Sequence, residues 1–216
     1  MYIVFEGLDW AGKDTQLQNV FKYLTNKFKY ANILKTQEPS WITNSWKLIS
    51  KKLQWEWFKT PKEALDLYIK DRVEMNNIKK INTKFWFVLC SRWDYTTYAY
   101  QSLNQWKNNG FSFDEIYHEH RSLEDKNNPL LIPDITFYFD LPISETMSRI
   151  NSRLKNWEKK DFFEREEFLE KARNQYLKSI EYLKNKEKRN IYIIDANKDR
   201  ESIFNEIIDI LNKYIK

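Results

Sequence analysis

Residues 5–18 read Phe-Glu-Gly-Leu-Asp-Trp-Ala-Gly-Lys-Asp-Thr-Gln-Leu-Gln, and two of the three glycines in the 216-residue chain lie inside this stretch. What flanks it limits the fold. Residues 2–5, Tyr-Ile-Val-Phe, are a short β-branched and aromatic run of the kind that makes a buried strand. Downstream, Leu17, Val20, Phe21, Leu24 and Phe28 recur with the period of a helix that buries one face. Gly7, Gly12, Lys13 and Thr15 therefore stand between a strand and a helix, with the spacing of a phosphate-cradling loop. Glycine lets backbone N–H groups turn toward phosphate, the helix N-terminus adds partial positive charge, and Lys13 reaches the terminal phosphates.

One position departs from that pattern. Asp14 stands where such loops carry Ser or Thr, the hydroxyl that holds Mg²⁺. A lone carboxylate repels phosphate, so a working site needs a cation between them. Carboxylate oxygen is a natural Mg²⁺ ligand, and the first turn of a helix favours its charge.

The rest of the chain repeats the strand-then-helix order. "NILKT" reads as a second strand ended by Glu38-Pro39, and "KFWFVLC" as a third, with helical patterns over 45–82 between them. "DITFYFD" from Asp134 and "NIYIID" from Asn190 read as two more. The last helix carries Ile203, Phe204, Ile207, Ile208 and Leu211 on one side. This alternation predicts an α/β protein with a parallel sheet covered on both faces. Arg92, just past the third run, then falls at the carboxyl end of a parallel strand, where open α/β sheets bind ligands. Tyr68 and Arg72, four residues apart, leave one helical face together.

Composition excludes several classes. No apolar run approaches the roughly 20 residues of a membrane span, and Glu6 interrupts any leader-like start, so secretion is not expected and a cytoplasmic location is. The single cysteine, Cys90, cannot form an internal disulfide. A net charge of +5 is modest in a chain rich in both signs; nucleic acid is not the expected partner. The polar stretch 101–133 begins helical and reads as loop near Asn127 and Asn128. Its His118 and His120 are the only two histidines and have no cysteine nearby, so no metal site is expected there.

Taken in order, these segments resemble the thymidylate kinases, P-loop enzymes that move the terminal phosphate of ATP to dTMP. Residues 5–16 are similar to that family's opening motif, Phe-Glu-Gly-x-Asp-Gly-x-Gly-Lys-Ser-Thr-Gln. "TQEP" at 36–39 resembles its Thr-Arg-Glu-Pro, and "DLYIKDRVE" its substrate helix. "SRWDYTTYAYQ" at 91–101 resembles Asp-Arg-Tyr-x-x-Ser-x-x-Ala-Tyr-Gln, and "PDITFYFDLP" the fourth strand and its exit. "DFFEREEFLEKARNQYL" resembles the end of a mobile lid and the helix behind it.

The resemblance implies a three-layer α/β/α P-loop kinase fold with a five-stranded parallel sheet, one domain over residues 1–216, and a mobile lid within about 149–163. It implies ATP as co-substrate, Mg²⁺, a nucleotide acceptor and a homodimer. Gly7, Leu8, Trp10, Ala11, Gly12, Lys13, Asp14 and Thr15 would surround the ATP phosphates. Tyr68 would stack on the pyrimidine, with Arg72 holding the base edge with the help of Thr97, and Thr96 would also belong to the substrate site. Asp9, Gln37 and Arg92 would face the acceptor phosphate, Tyr100 the sugar, and Gln101 would lie nearby. The family draws a catalytic arginine from the loop or from the lid. Trp10 fills the loop position here, so Arg153 is expected to supply it, with Arg149 the second choice, alongside Asp9, Lys13 and Arg92 as catalytic groups.

Three departures stand out: Gln37 replaces an Arg, Ser40-Trp41 replaces Gly-Gly, and Ser91 replaces an Asp. Asp14 and Ser91 look like an exchange of carboxylate and hydroxyl around one metal ion, with Asp9 as a further ligand. The acceptor remains open among dTMP, dUMP and a 5-substituted pyrimidine nucleotide. The alternatives are a P-loop kinase acting on a deoxynucleoside or a modified DNA base, and a non-catalytic nucleotide- or nucleic-acid-binding protein.

Overall fold

The structure is a computed structural model and describes residues 1–81, 86–103, 110–123, 129–153 and 162–215. Five strands form one parallel sheet: β1 (Tyr2–Gly7), β2 (Ile33–Gln37), β3 (Phe87–Ser91), β4 (Ile135–Asp140) and β5 (Ile191–Asp195), in the order β2-β3-β1-β4-β5. All five expected strands are present; Lys84 and Phe85 of the third lie outside the described residues. β1 sits at the centre, with the chain running to β2 and β3 on one side and to β4 and β5 on the other. That reversal opens a crevice at the carboxyl ends of the central strands. The register brings Phe5 and Gln37 level with Ser91 there.

The pleat sorts the strand residues between two layers. Ile3, Phe5, Phe137 and Phe139 face one way and pack on Leu17, Val20 and Leu24 of α1 (Lys13–Lys27) and on Ile203, Ile207 and Leu211 of α8 (Arg200–Leu211). These are the apolar stripes that the sequence predicts. Asp199 caps α8, its carboxylate accepting from the amides of Glu201 and Ser202 at 3.0 Å.

The opposite layer is larger. It holds α3 (Pro61–Ile81), α4 (Asp94–Gln101), α5 (Phe113–Leu123), α6 (Ile143–Arg153) and α7 (Glu166–Glu187), packed through Leu65, Ile69, Tyr98, Ile116, Ile150 and Tyr176. A short helix, α2 (Asn44–Lys51), is capped by Thr43, whose hydroxyl accepts from the Trp46 amide at 3.0 Å. It continues into a π turn, Lys52–Glu56, before α3 starts at Pro61. The helical pattern over 45–82 is thus two helices meeting at a wide turn. In the polar stretch after Gln101, residues 104–109, where a helical start is expected, lie outside the described residues, and the helix described there is α5. Asn127 and Asn128 lie outside the described residues, as do 154–161 of the expected lid. No described helix is long and apolar enough to cross a membrane.

Candidate active site

The loop between β1 and α1 is shaped by backbone conformations that few residues adopt. Gly7 has φ 147°, and a Cβ there would lie 2.8 Å from the Phe139 carbonyl oxygen on the neighbouring strand. Gly12, at φ 86°, turns the chain into α1 and leaves the amides of its first turn open to an anion. Trp10 and Arg92 also take positive φ, at 69° and 66°. Non-glycine residues held this way concentrate at functional sites. Arg92 is anchored in that conformation by its amide, which donates to the Phe5 carbonyl at 2.8 Å.

Four charged groups meet at the mouth of the loop. Lys13 is buried, with its ammonium 3.7 Å from Asp9 and 3.6 Å from Asp14. The Arg92 guanidinium pairs with Asp9. Burial, then the neighbouring Arg92 charge, pull the Lys13 ammonium below its usual range, against the opposing pull of Asp9 and Asp14. For Asp9, burial works upward, but Arg92 and Lys13 outweigh it and hold the carboxyl below its ordinary value. Two buried cations held beside two carboxylates, of which Asp14 is largely exposed, suit a phosphate ligand that arrives with its own cation. Beside them, the Ser91 hydroxyl donates to Asp14 Oδ1 at 2.5 Å. The two positions that depart from the resembled pattern are in direct contact.

Two cavities open from this point. One, of about 770 Å³, runs along Trp10, Ala11, Gly12 and Thr15 toward Arg149, Arg153, Lys198 and Arg200. The other, of about 520 Å³, is lined by Gln37, Tyr68, Arg72, Arg92, Thr96, Thr97, Tyr100 and Gln101. Asp9, Lys13, Asp14 and Glu164 border both. A phosphate donor in the first and an acceptor in the second would therefore meet at Lys13.

Of the residues expected around ATP, Leu8 lines neither cavity and its side chain is buried in the core. Gly7 lines neither, but its contact with Phe139 positions the loop. Thr96 lines the acceptor cavity while its hydroxyl is engaged with Glu6 at 2.9 Å and Tyr176 at 2.7 Å. Arg153 forms two hydrogen bonds to Glu164, at 2.8 and 3.0 Å, and lies over the Trp10 ring. Arg149 donates to the Trp10 carbonyl at 3.0 Å.

Other residues at the site lie mostly outside the motifs, Glu38 of the Thr-Gln-Glu-Pro run and Asp71 of the Tyr68–Arg72 helix excepted. An aromatic wall of Trp46, Trp57 and Phe58 faces the acceptor cavity alongside Tyr68, whose hydroxyl burial pushes up to about 12. Only their spacing before a helix start could have hinted at it. Ser40, the substitute for glycine, donates its amide to Asp71 at 2.8 Å and its hydroxyl to the same carboxylate at 2.7 Å. That clamp fixes the loop ahead of α2. Glu38 is buried and accepts from Arg72 Nε at 2.7 Å. His120 also reaches Arg72, across from α5.

Parallel strands in this order, a glycine-turned loop opening a helix, and two cavities joined at a buried lysine define a P-loop phosphotransferase of the nucleotide kinase kind. The sequence profile described as thymidylate kinase matches residues 5–207. The thymidylate kinase of Thermosipho africanus is 32% identical over the whole of both chains, and that of Ureaplasma parvum is 30% identical over all of this chain and 91% of its own. A crystal structure of thymidylate kinase from Ehrlichia chaffeensis superposes with a TM-score of 0.68 at 22% identity, over 98% of each chain, a likeness of fold. The chain belongs to the thymidylate kinase family, whose members are phosphotransferases with ATP as donor.

Proposed function

We propose that the protein transfers the terminal phosphoryl group of ATP to dTMP, giving ADP and dTDP. The junction of the two cavities at Asp9, Lys13 and Asp14 carries this reading. Phosphoryl transfer needs positioning and charge neutralisation more than covalent work by the protein. Lys13 and the first-turn amides of α1 hold the donor phosphates, and Arg92 binds the acceptor phosphate, both drawn in by Asp9. An acceptor phosphate oxygen then bonds to the γ-phosphorus as its bond to the bridging oxygen of ADP breaks. Arg153, released from Glu164, adds positive charge over the transferring group, and the aromatic wall keeps water out.

The donor set also suits Mg²⁺. Among the described residues no three His, Cys, Asp or Glu side chains cluster as a metal cage. Asp14 and Ser91 offer a carboxylate and a hydroxyl in contact, hard oxygen donors of the kind Mg²⁺ accepts while water and phosphate oxygens fill its remaining positions. Asp9 is committed to Arg92 and Lys13 and contributes at most as a further ligand. When bound, the ion neutralises phosphate charge. In this reading Asp14 and Ser91 have exchanged the roles of carboxylate and hydroxyl. Asp14→Ser should weaken Mn²⁺ binding to the ATP complex, measured by electron spin resonance, and impair transfer. Adding Ser91→Asp should restore both, and a double variant no better than the single one sinks the exchange.

The activity is tested by ADP release from ATP and Mg²⁺ with dTMP, dUMP, dGMP, thymidine and single-stranded DNA as separate acceptors. Strong preference for dTMP is expected; turnover only with thymidine or DNA would overturn the reading. We also propose a cytoplasmic homodimer. Trp41, Ile42 and Leu48, exposed around α2, give a second copy apolar surface to cover. A sedimentation mass of one chain would exclude it.

A further inference from the structure

Arg72 has five N–H donors, and the fold uses nearly all of them. Nε donates to Glu38 at 2.7 Å, and Nη2 donates both to the Trp93 carbonyl at 2.9 Å and to Thr97 Oγ1 at 3.1 Å. Nη1 lies 2.6 Å from His120 Nε2. One N–H, on Nη1, is left over among the described residues, and Arg72 lines the acceptor cavity.

His120 comes from a different helix and has its own constraints. It is 4% exposed, its ring lies nearly parallel to that of Tyr98 at 11° and 5.8 Å, and its Nδ1 is 2.8 Å from the Ile116 carbonyl. A carbonyl can only accept, so Nδ1 carries the proton and donates. An arginine can only donate, so Nε2 is bare and accepts. The surroundings leave this tautomer no alternative. Arg72 is the charged group in contact with the ring, and the Arg189 and Arg121 charges also act on it. Burial and these three cations all disfavour the imidazolium and hold the ring neutral.

We propose that His120 is a positioning residue for the acceptor base: by accepting one Nη1–H of Arg72, it turns the guanidinium so that the other Nη1–H meets a carbonyl on the pyrimidine edge. Three anchors, Glu38, Trp93 and Thr97, fix two of the guanidinium nitrogens, and His120 fixes the third. A lone donor favours a 4-oxo pyrimidine over a 4-amino one, because an amino group offers it no lone pair of comparable strength. The Thr97 hydroxyl, accepting from Arg72, keeps its proton to donate to the same ligand. The inference rests on the reading that the acceptor is a nucleotide whose base reaches Arg72.

The test separates the two. Steady-state kinetics of His120→Leu should show the KM for dTMP raised about tenfold, the size of one lost hydrogen bond to a charged group, with kcat and the KM for ATP changing far less. The preference for dTMP over dCMP should narrow by a similar factor. His120→Gln, which can place an amide oxygen near the position of Nε2, should recover most of both. If the leucine variant does not fold, His120→Asn takes its place, since its shorter amide cannot reach Arg72. An unchanged dTMP KM in the folded variant, or a glutamine variant no better than the leucine or asparagine one, overturns the positioning role. Arg72→Lys serves as the control. If it leaves dTMP binding untouched, the base-reading role of Arg72 itself has failed; if it weakens binding while His120 variants do not, only the role of His120 has.

Discussion

Arg72 and Arg153 each line one of the two cavities that meet at Lys13, yet the protein holds them in opposite ways. The Arg72 side chain is 4% exposed, and its guanidinium is tied to four partners, Glu38, His120, Trp93 and Thr97, from three segments of the chain. The Arg153 side chain is 44% exposed, and its two bonds go to a single carboxylate, Glu164, with the Trp10 ring beneath it. Recognition of a rigid base gains from a group already locked in place, since no ordering cost remains at binding. A group that must meet charge formed only during transfer gains from a partner it can leave. The Arg153 end of this pair is open to solvent, which screens the pair to about 1 kcal/mol, so phosphate can draw Arg153 away from Glu164.

The widest gap between the two should appear in stability. Glu38→Gln leaves the Arg72 charge buried without its counter-ion and is expected to cost roughly 3–5 kcal/mol. Glu164→Gln is expected to cost less than about 1 kcal/mol. Urea melts of the two variants check this, and equal losses would erase the distinction between fixed and releasable arginine. Activity should show the reverse order. Arg153→Gln is expected to lower kcat by about 10²–10³ while the melt stays near that of the parent, the usual cost of one donor to transition-state charge. If Arg149→Gln has the larger effect, the catalytic arginine lies one turn earlier on α6.

The part of the molecule around Lys13 was largely legible in the sequence, and the part around Arg72 only half so. A phosphate-cradling loop is defined by its backbone geometry, and Gly7 and Gly12 announce that geometry because few other residues adopt it. The strands were equally plain, since Ile3, Phe5 and their neighbours must satisfy a buried sheet. Tyr68 and Arg72 could be placed on one helical face from their spacing. What surrounds Arg72 could be placed only in part: the family resemblance sets Thr97 beside it, but no local pattern links it to Glu38, the Trp93 carbonyl or His120. In the sequence His120 stands out only as one of two histidines with no cysteine nearby. Its actual partner lies 48 positions earlier and becomes visible only when α3 and α5 pack. Asp14 and Ser91, the two positions that depart from the resembled motifs, stand 77 residues apart in the chain and are in contact at 2.5 Å.

The last test probes the fixed side through pH. His120 is held well below its ordinary value of 6.5 by burial and by the Arg72 charge. The unfolded chain therefore binds a proton on this ring at a pH where the folded chain does not. Stability from this group is complete above about 6.5 and is lost as pH falls below it, with a limiting slope near 1.4 kcal/mol per pH unit. Glu6 and Asp71 work in the other direction: burial raises both carboxyls in the fold, so the native state holds their protons longer and acid favours it. The two trends overlap in an ordinary profile. Subtracting the profile of His120→Gln from that of the parent isolates the ring, because the carboxyl contributions are common to both. The difference should decline steadily from about pH 6.5 to 4.5. A flat difference would mean that the imidazole is charged in the fold beside Arg72, which then could not donate to it, and the locked geometry at the acceptor base would lose its fourth anchor.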